Sequence, residues 1–268
     1  MTVLMRNAPN FRSVDAPFNR HGERLSAPLF YRSGDLSQLD DGDVNVLSQC
    51  GIGLVIDLRS RYERQRRPNR FPTDHTIRVI EGDIRIDLRA ANGSLGDLLL
   101  ADPTPDGARH MMARTYVALA KDALLPLLAP VVQAMTETPG ATLVLCTAGK
   151  DRTGCLVATL LHLLDVDHGT ILADYLLTNQ RVDLDAMAAT SDALLKALFD
   201  VQLPREALDV VNRVEASYLR IALDTVVATH GSLDAWIAAA GITPALLQAF
   251  RQRYRDNASV TAPAFTGR

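Results

Sequence analysis

Two reactive side chains, Cys146 and Arg152, lie six positions apart in one short loop. The loop follows an apolar, partly β-branched run at residues 142–145 and precedes an apolar run at residues 155–164, patterns typical of a buried strand and a buried helix. Backbone N–H groups that lead into a helix N-terminus bind anions, and the same field favours a thiolate over a thiol. The spacing therefore predicts a cysteine nucleophile at the base of an anion-binding loop.

The other residues of the loop also suit phosphate chemistry. Arg152 offers a planar fork of donors that matches two phosphoryl oxygens. Gly149 and Gly154 are expected to let the backbone turn sharply and approach a ligand closely. The hydroxyl of Thr153 is expected to hydrogen-bond the Cys146 sulfur and help it leave as a thiolate. The predicted substrate-binding residues are Thr147, Ala148, Gly149, Lys150, Asp151, Arg152 and Thr153.

The composition describes an ordinary globular protein and indicates no cofactor. With 268 residues, 47% of them hydrophobic, and a net charge of −3, the chain can bury a full core, and its charge gives no case for nucleic-acid binding. Three cysteines are too few for a disulfide framework, and no Cys/His spacing resembles a zinc site, so we expect no metal. No signal peptide or bilayer-spanning run is visible. We expect a cytoplasmic protein by default, although export without a visible signal peptide stays open.

The predicted elements alternate as in an α/β domain. The predicted strands are residues 29–31, 53–59, 76–80 and 142–145. Helices are predicted after Asp35 or Ser37 and as a pair between residues 108 and 135. We therefore predict a mainly parallel central sheet that is flanked by helices.

The chain after residue 168 is predicted to be helical throughout. The predicted helices are residues 171–177, 184–199 and 205–229, with two short ones that begin after Ser232 and Thr243. Residues 184–210 are interpreted either as an amphipathic lid over the site or as plain helical packing. We predict one domain over residues 1–260, a helical extension over about 168–255, and a flexible tail at 258–268.

Charged residues follow two of the predicted strands. Asp57 and Arg59 end one strand, and Asp83 and Asp87 follow the next. Because parallel strands end at a common sheet edge where sites form, these residues are candidates for supporting roles, although a structural ion pair or cap is the favoured interpretation of Asp57 and Arg59. The basic run at residues 61–67 is interpreted as a solvated face, or as an attractor for a polyanionic substrate or an anionic membrane surface. Residues 91–107 are predicted to form a flexible loop.

Residues 146–154 resemble the P-loop of the cysteine-dependent protein tyrosine phosphatase superfamily. The sequence CTAGKDRTG is similar to a bacterial branch with tyrosine, dual-specificity and phosphoinositide phosphatase activity, and particularly to the secreted mycobacterial tyrosine/lipid phosphatase type, whose members carry a helical lid. Further segments also agree with that branch: residues 10–12, 31–36, 57–60, 174–179, 218–219 and 231–233.

The resemblance implies a phosphomonoester hydrolase that works through a phosphocysteine. Cys146 would attack phosphorus, Arg152 would bind the phosphoryl oxygens, and Lys150 would add positive charge. Phosphotyrosine proteins or phosphoinositides would be substrates, and phosphate or vanadate would inhibit. The resemblance also implies a general acid, for which the candidates in order are Asp83, then Asp151, with Asp57 and Asp87 as further options.

One departure from the family keeps two other functions open. Most members have a histidine directly before the nucleophile, whereas this chain has Leu145. Loss of that histidine is expected to make the thiolate less favourable and turnover slower, which leaves a phosphate-binding pseudophosphatase as an alternative. A thiol-based sulfurtransferase or arsenate reductase, with Cys50 or Cys155 as a resolving thiol, is the other.

Overall fold

The computed structural model describes residues 5–73, 76–86 and 95–255. Five strands form one mixed sheet: β1 (Arg12–Val14), β2 (Phe30–Ser33), β3 (Ile52–Asp57), β4 (Arg78–Glu81) and β5 (Ala141–Leu145). Their order is β1-β2-β5-β3-β4; β1 runs antiparallel to β2, and every other neighbouring pair is parallel. The predicted α/β class with a mainly parallel sheet is confirmed.

Helices cover both faces of this sheet. They are α1 (Asp41–Gln49), α2 (Arg61–Arg66), α3 (Leu95–Ala101), α4 (Pro105–Ala118), α5 (Leu125–Glu137), α6 (Asp151–Leu163), α7 (His168–Arg181), α8 (Leu184–Phe199), α9 (Arg205–Asn212), α10 (Ala216–His230), α11 (Leu233–Ala239) and α12 (Pro244–Tyr254). A π-helical turn, Leu119–Ala123, joins α4 to α5. Ser232 and Thr243 cap α11 and α12 as predicted, whereas Asp40, rather than Asp35 or Ser37, caps α1.

The apolar residues of the central strands alternate between two cores. In β3, Leu54 and Ile56 belong to the larger core, which also contains α4 to α7 and α10 to α12. Val55 belongs to a smaller core with Leu145 of β5, the N-terminal segment and α1. Because both faces of these strands are buried, their sequences read as continuous apolar runs. The carboxyl ends of β3 and β5 lie side by side, and the P-loop leaves the sheet there.

The long helix predicted over residues 205–229 is broken in the structure. The chain leaves α9 at Arg213 and begins α10 at Ala216. The amide side chain of Asn179, in α7, pairs with both backbone groups of Val214, accepting from its N–H at 2.9 Å and donating to its carbonyl at 2.9 Å. This pairing satisfies buried backbone groups that would otherwise favour a continuous helix.

One local prediction differs from the structure, and two elements were not assigned from the sequence. The basic run, interpreted as a solvated face, forms the helix α2, because Ser60 and Glu63 make a reciprocal capping box at its start. The part of the predicted loop at 91–107 that is described contains α3 and the start of α4, which Thr104 caps. The strand β1 lies in a segment for which no strand was predicted. Asp87 and the tail at 258–268 lie outside the described residues.

Candidate active site

The P-loop runs from the end of β5 to the start of α6. Cys146 directly follows β5 and is almost fully buried, and Asp151 is the first residue of α6. Between them Gly149 has a φ of +65°, and a Cβ atom there would lie 2.4 Å from the carbonyl carbon of Ser33. Only glycine fits this turn, because a side chain would be both strained and in collision with β2.

Two side chains from outside the loop hold it through one of its carbonyl groups. The carbonyl oxygen of Gly149 accepts from Nη2 of Arg32 at 2.8 Å and from Nδ2 of Asn10 at 2.6 Å. Within the described ranges, the backbone N–H groups of residues 147–151 donate to no protein acceptor. N–H groups that lead into a helix N-terminus and are not used by the protein form an anion-binding nest.

A buried ion-pair network supports Arg32 behind the loop. Nη1 of Arg32 lies 2.6 Å from Asp174, and Nε of Arg12 lies 3.2 Å from the same carboxylate. Burial and the neighbouring charge of Arg32 lower the pKa of Arg12 to about 10. Sequence analysis marked these residues only as segments that agree with the family. Their geometry gives them a role, because they fix the loop from the side opposite the anion nest.

Arg152 is paired with Glu63, which sequence analysis did not single out. Nη1 and Nη2 of Arg152 lie 2.7 and 2.8 Å from the two carboxylate oxygens. Nη1 also donates to the Ile84 carbonyl at 3.2 Å, and Nη2 to the Thr147 hydroxyl at 3.1 Å. Burial alone would raise the pKa of Glu63, but the hydrogen bonds and charge of Arg152 outweigh it and hold that pKa well below its usual range. Glu63 therefore stays ionised and orients the guanidinium.

Asp151 receives two hydrogen-bonding partners from different elements. Its Oδ1 accepts from the hydroxyl of Tyr116 in α4 at 2.7 Å, and its Oδ2 lies 3.3 Å from Nζ of Lys150. Lys150 is buried, and its ammonium also donates to the Val211 carbonyl at the end of α9. The side chains of Lys150 and Asp151 are thus both anchored to helices that border the site.

Asp83 lies two residues after the end of β4, and its carboxylate is bound by groups outside the cavity. Its Oδ1 accepts from the N–H of Arg61 at 2.7 Å, and its Oδ2 pairs with Arg85 at 2.8 Å. These contacts, with the Arg85 hydrogen bond the largest, lower the pKa of Asp83. Asp83 does not line the cavity above Cys146 in the described part of the chain.

Asp57 and Arg59 form a buried ion pair with Nη2 2.7 Å from Oδ2. Asn69 donates to the same carboxylate at 2.9 Å, and Arg59 donates to the Arg67 carbonyl at 2.7 Å. The pair therefore ties the end of β3 to the chain that follows α2. This arrangement is the structural ion pair that sequence analysis weighed for these two residues.

Two expectations for the end of the loop do not hold in this structure. The Thr153 hydroxyl is buried and has no hydrogen-bond partner among the described residues, so it does not bond the Cys146 sulfur. Gly154 is not in a turn but inside α6, where a Cβ atom would lie 2.9 Å from the ring of Tyr175. Glycine is required there for close packing of α7 against α6, rather than for backbone conformation.

A cavity of about 410 Å³ opens above Cys146. The P-loop forms its floor, and α8 forms one wall. The α8 residues that line the cavity are Ala186, Met187, Thr190, Ser191 and Leu194. Beside it lies a second cavity of about 280 Å³, whose lining includes Arg59, Tyr62, Arg66 and Arg67, and which shares Thr147 with the first.

No cluster of three or more His, Cys, Asp or Glu side chains in residues 5–73, 76–86 and 95–255 has the arrangement of a metal site. In the same ranges no single helix is long and apolar enough to cross a membrane, although two bent helix pairs reach the required length and composition together. The site thus combines a buried thiol, an anion nest, an oriented guanidinium and a carboxyl.

Known proteins are similar in sequence to this chain over most of its length. The tyrosine phosphatase family matches residues 3–256. The triple specificity protein phosphatase PtpB of Mycobacterium tuberculosis is 30% identical over 254 residues, which cover 82% of this chain and 88% of that protein. A putative tyrosine-protein phosphatase of Cupriavidus necator is 27% identical over 85% of this chain and 80% of its own length. The chain belongs to the tyrosine phosphatase family.

Proposed function

We propose that this protein hydrolyses phosphate monoesters through a phosphocysteine formed on Cys146. The observation that carries the proposal is the P-loop itself, in which a thiol lies at the floor of a cavity beneath N–H groups that no described protein acceptor uses. Those groups, together with Arg152 and Lys150, provide positive potential for a phosphate dianion. The family membership of the chain supports the same reaction.

The reaction proceeds in two displacements. The Cys146 thiolate attacks phosphorus, the bond from phosphorus to the ester oxygen breaks, and an acid donates a proton to the leaving alcohol or phenol. A water molecule then attacks the phosphocysteine and gives its proton to the carboxylate formed in the first step. Inorganic phosphate leaves, and the thiolate is restored. No other reactant is consumed.

Arg152 must exchange a contact when substrate binds. Each terminal nitrogen of a guanidinium carries two N–H groups, and here all four point to Glu63, Ile84 or Thr147. A phosphoryl oxygen would replace the Ile84 carbonyl or the Thr147 hydroxyl, while the two bonds to Glu63 keep the fork in place. Glu63 is therefore a positioning residue in this mechanism.

Asp151 is the general acid that the geometry favours. It lines the cavity above Cys146, one residue before Arg152, whereas the carboxylate of Asp83 is held by Arg61 and Arg85 and has a lowered pKa. An acid must carry a proton and reach the leaving oxygen. Asp151 lines the cavity in which a leaving oxygen would lie and Asp83 does not, which supports Asp151 in this role.

The substrate class proposed is phosphotyrosine proteins, phosphoinositides or both. PtpB, the mycobacterial relative, is named as a triple specificity protein phosphatase. The second cavity adjoins the first and is lined by three arginines, Arg59, Arg66 and Arg67, and by two carboxylates, Asp35 and Glu63. Arg59 and Arg67 pair with carboxylates, whereas Arg66 is exposed, so Arg66 is the residue of this lining that supports a substrate with further phosphate groups.

The nucleophile is tested by Cys146→Ser, with Cys50→Ser as the matched control at a half-buried thiol that packs against the smaller core. Hydrolysis of an aryl phosphate should be lost in the first variant and kept in the second, and vanadate should inhibit the native protein. Unchanged hydrolysis in Cys146→Ser would contradict the proposal. A native protein that binds vanadate but does not turn over would be a pseudophosphatase.

The general acid is tested by pH–rate profiles of Asp151→Asn and Asp83→Asn. The variant that lacks the acid should lose the basic limb of its pH–rate profile. Its turnover should fall most for esters with poor leaving groups. We expect this result for Asp151→Asn, while Asp83→Asn keeps the native profile. The opposite pattern would transfer the role to Asp83.

The substrate class is tested by comparing kcat/KM for phosphotyrosine peptides and for phosphoinositide bisphosphates. Arg66→Gln should reduce turnover of the bisphosphates more than that of the peptides. Arg220→Gln, at an exposed arginine of α10 that lines neither cavity, is the control. Equal losses for both substrates in Arg66→Gln would contradict a role for the second cavity in substrate choice.

A further inference from the structure

Three tyrosines from three helices meet behind the P-loop. Tyr116 of α4 donates its hydroxyl to Oδ1 of Asp151 at 2.7 Å, and its oxygen lies 2.5 Å from the hydroxyl oxygen of Tyr175 in α7. The ring of Tyr218, in α10, packs on that of Tyr116 with centroids 5.2 Å apart. Its own hydroxyl is buried and has no hydrogen-bond partner in the described part of the chain.

The number of protons sets the direction of these hydrogen bonds. A tyrosine hydroxyl has one proton to donate, and an ionised carboxylate can only accept. While Asp151 is ionised, as it is before it takes a proton from water in the second displacement, Tyr116 therefore donates to Asp151 and Tyr175 donates to Tyr116. Burial, with the charge of Asp151 next in size, raises the pKa values of Tyr116 and Tyr175 well above the ordinary range, so both remain donors. The chain of donation ends at the carboxyl group of the loop.

The Tyr116 contact fixes the carboxyl group from the side of the core. Lys150 holds the other oxygen, so the two contacts together define the plane of the Asp151 carboxyl. Tyr116 and Tyr175 are almost fully buried, and their rings pack edge to face with centroids 6.5 Å apart. A rigid pair of hydroxyls is a more precise support than a mobile surface contact.

We propose that Tyr175 and Tyr116 form a relay of hydrogen bonds that positions the Asp151 carboxyl for proton transfer to the leaving group. Both are positioning residues, since they act through Asp151. This inference rests on the proposed role of Asp151 as general acid. Other ionisable groups that interact with this cluster are Lys150, Cys155, Tyr218 and, through Tyr218, Glu215 and Arg109.

Three conservative variants separate this role from packing. Tyr116→Phe removes the hydrogen bond to Asp151 and keeps the ring. Because that bond holds Oδ1 of Asp151, its loss should lower turnover of an alkyl phosphate by about tenfold more than turnover of an activated aryl phosphate, whose leaving group needs little help from an acid. Tyr175→Phe leaves Tyr116 in place and should widen the difference between the two esters by less. Tyr218→Phe removes a hydroxyl without a described partner from the same stack and should leave that difference unchanged.

The measurements are kcat/KM for an activated aryl phosphate and for an alkyl phosphate, together with thermal unfolding. The relay is supported if turnover of the alkyl ester falls more than that of the aryl ester in Tyr116→Phe. Equal losses for the two esters in folded Tyr116→Phe overturn it. If Tyr116→Phe does not fold, equal losses for the two esters in Tyr175→Phe overturn it instead. If Asp151→Asn keeps the basic limb of the pH–rate profile, the assignment of the acid fails; if it loses that limb and Tyr116→Phe slows both esters equally, only the relay fails.

Discussion

Replacing Glu63 by glutamine should destabilise the protein far more than the same change at an exposed position. Glu63 accepts two hydrogen bonds from Arg152, two from Ser60 and one from Thr147. Glutamine offers one acceptor and places an NH₂ group against a guanidinium that also can only donate. The variant therefore loses the counter-charge of a buried arginine and creates a donor–donor contact in the P-loop.

The size of the effect follows from burial. The side chains of Arg152 and Glu63 are 8% and 5% exposed, so solvent screens the pair little. Breaking such a pair on one side costs about 3–5 kcal/mol. With a urea dependence of roughly 2–3 kcal/mol per molar, the unfolding midpoint of Glu63→Gln should fall by about 1–2.5 M. Phosphatase activity should fall as well, because the orientation of Arg152 is lost.

Glu81→Gln is the matched control. Glu81 pairs with Arg64 at 2.8 Å, but its side chain is 61% exposed, and such pairs contribute at most about 1 kcal/mol. Urea unfolding of the two variants at pH 7 measures the contrast. Equal midpoints for Glu63→Gln and Glu81→Gln would refute the reasoning, because a buried pair and an exposed pair would then contribute alike.

The same pair predicts a pH dependence of stability. The pKa of folded Glu63 lies below its usual 4.5, so the unfolded chain binds more protons at acid pH. The contribution of Glu63 to stability is therefore complete above about pH 4.5 and is lost as the pH falls toward the folded value. The difference between the native protein and Glu63→Gln should shrink over that range, as urea midpoints taken from pH 7 down to pH 3 would record.

Three shorter predictions concern the P-loop and its strand. Gly149→Ala should lose phosphatase activity and at least about 2 kcal/mol of stability, measured by urea unfolding, since the new methyl meets Ser33 in a left-handed turn. Leu145→His should lower the unfolding free energy by about 2–4 kcal/mol without raising kcat, because Leu145 lies in the smaller apolar core. Iodoacetamide should leave Cys155 unlabelled in mass spectra of folded protein, since burial raises its pKa.

The sequence predicted those parts of the site whose residues are close together in the chain. Cys146 and Arg152 are separated by one turn between a strand and a helix, and strand, loop and helix each have their own periodicity or composition. Glu63 lies 89 positions from Arg152, and Tyr116 lies 35 positions from Asp151. Neither separation in sequence produces a periodic pattern, so these partners could be identified only from the tertiary structure.

A local signal for Glu63 was nevertheless present. Ser60 and Glu63 have the spacing of a capping box, which predicts the start of a helix within the basic run. That helix orders Glu63 beneath the loop. Tyr116 left no such signal, because an aromatic residue in an apolar helix is typical of a core position. The break between α9 and α10 was missed for a related reason, since the amide of Asn179 that supplies the bonds is in α7.

The lack of a side chain at Gly154 of α6 limits which substitutions this sequence can accept at residue 175. The Tyr175 ring occupies the volume that a methyl group at residue 154 would need, and the hydroxyl of the same ring meets Tyr116. The two positions must therefore change together during evolution. A homologue with alanine at the place of Gly154 should carry a smaller side chain at the place of Tyr175, and an alignment of homologues that paired alanine with tyrosine would show that α6 and α7 can separate without loss of the fold.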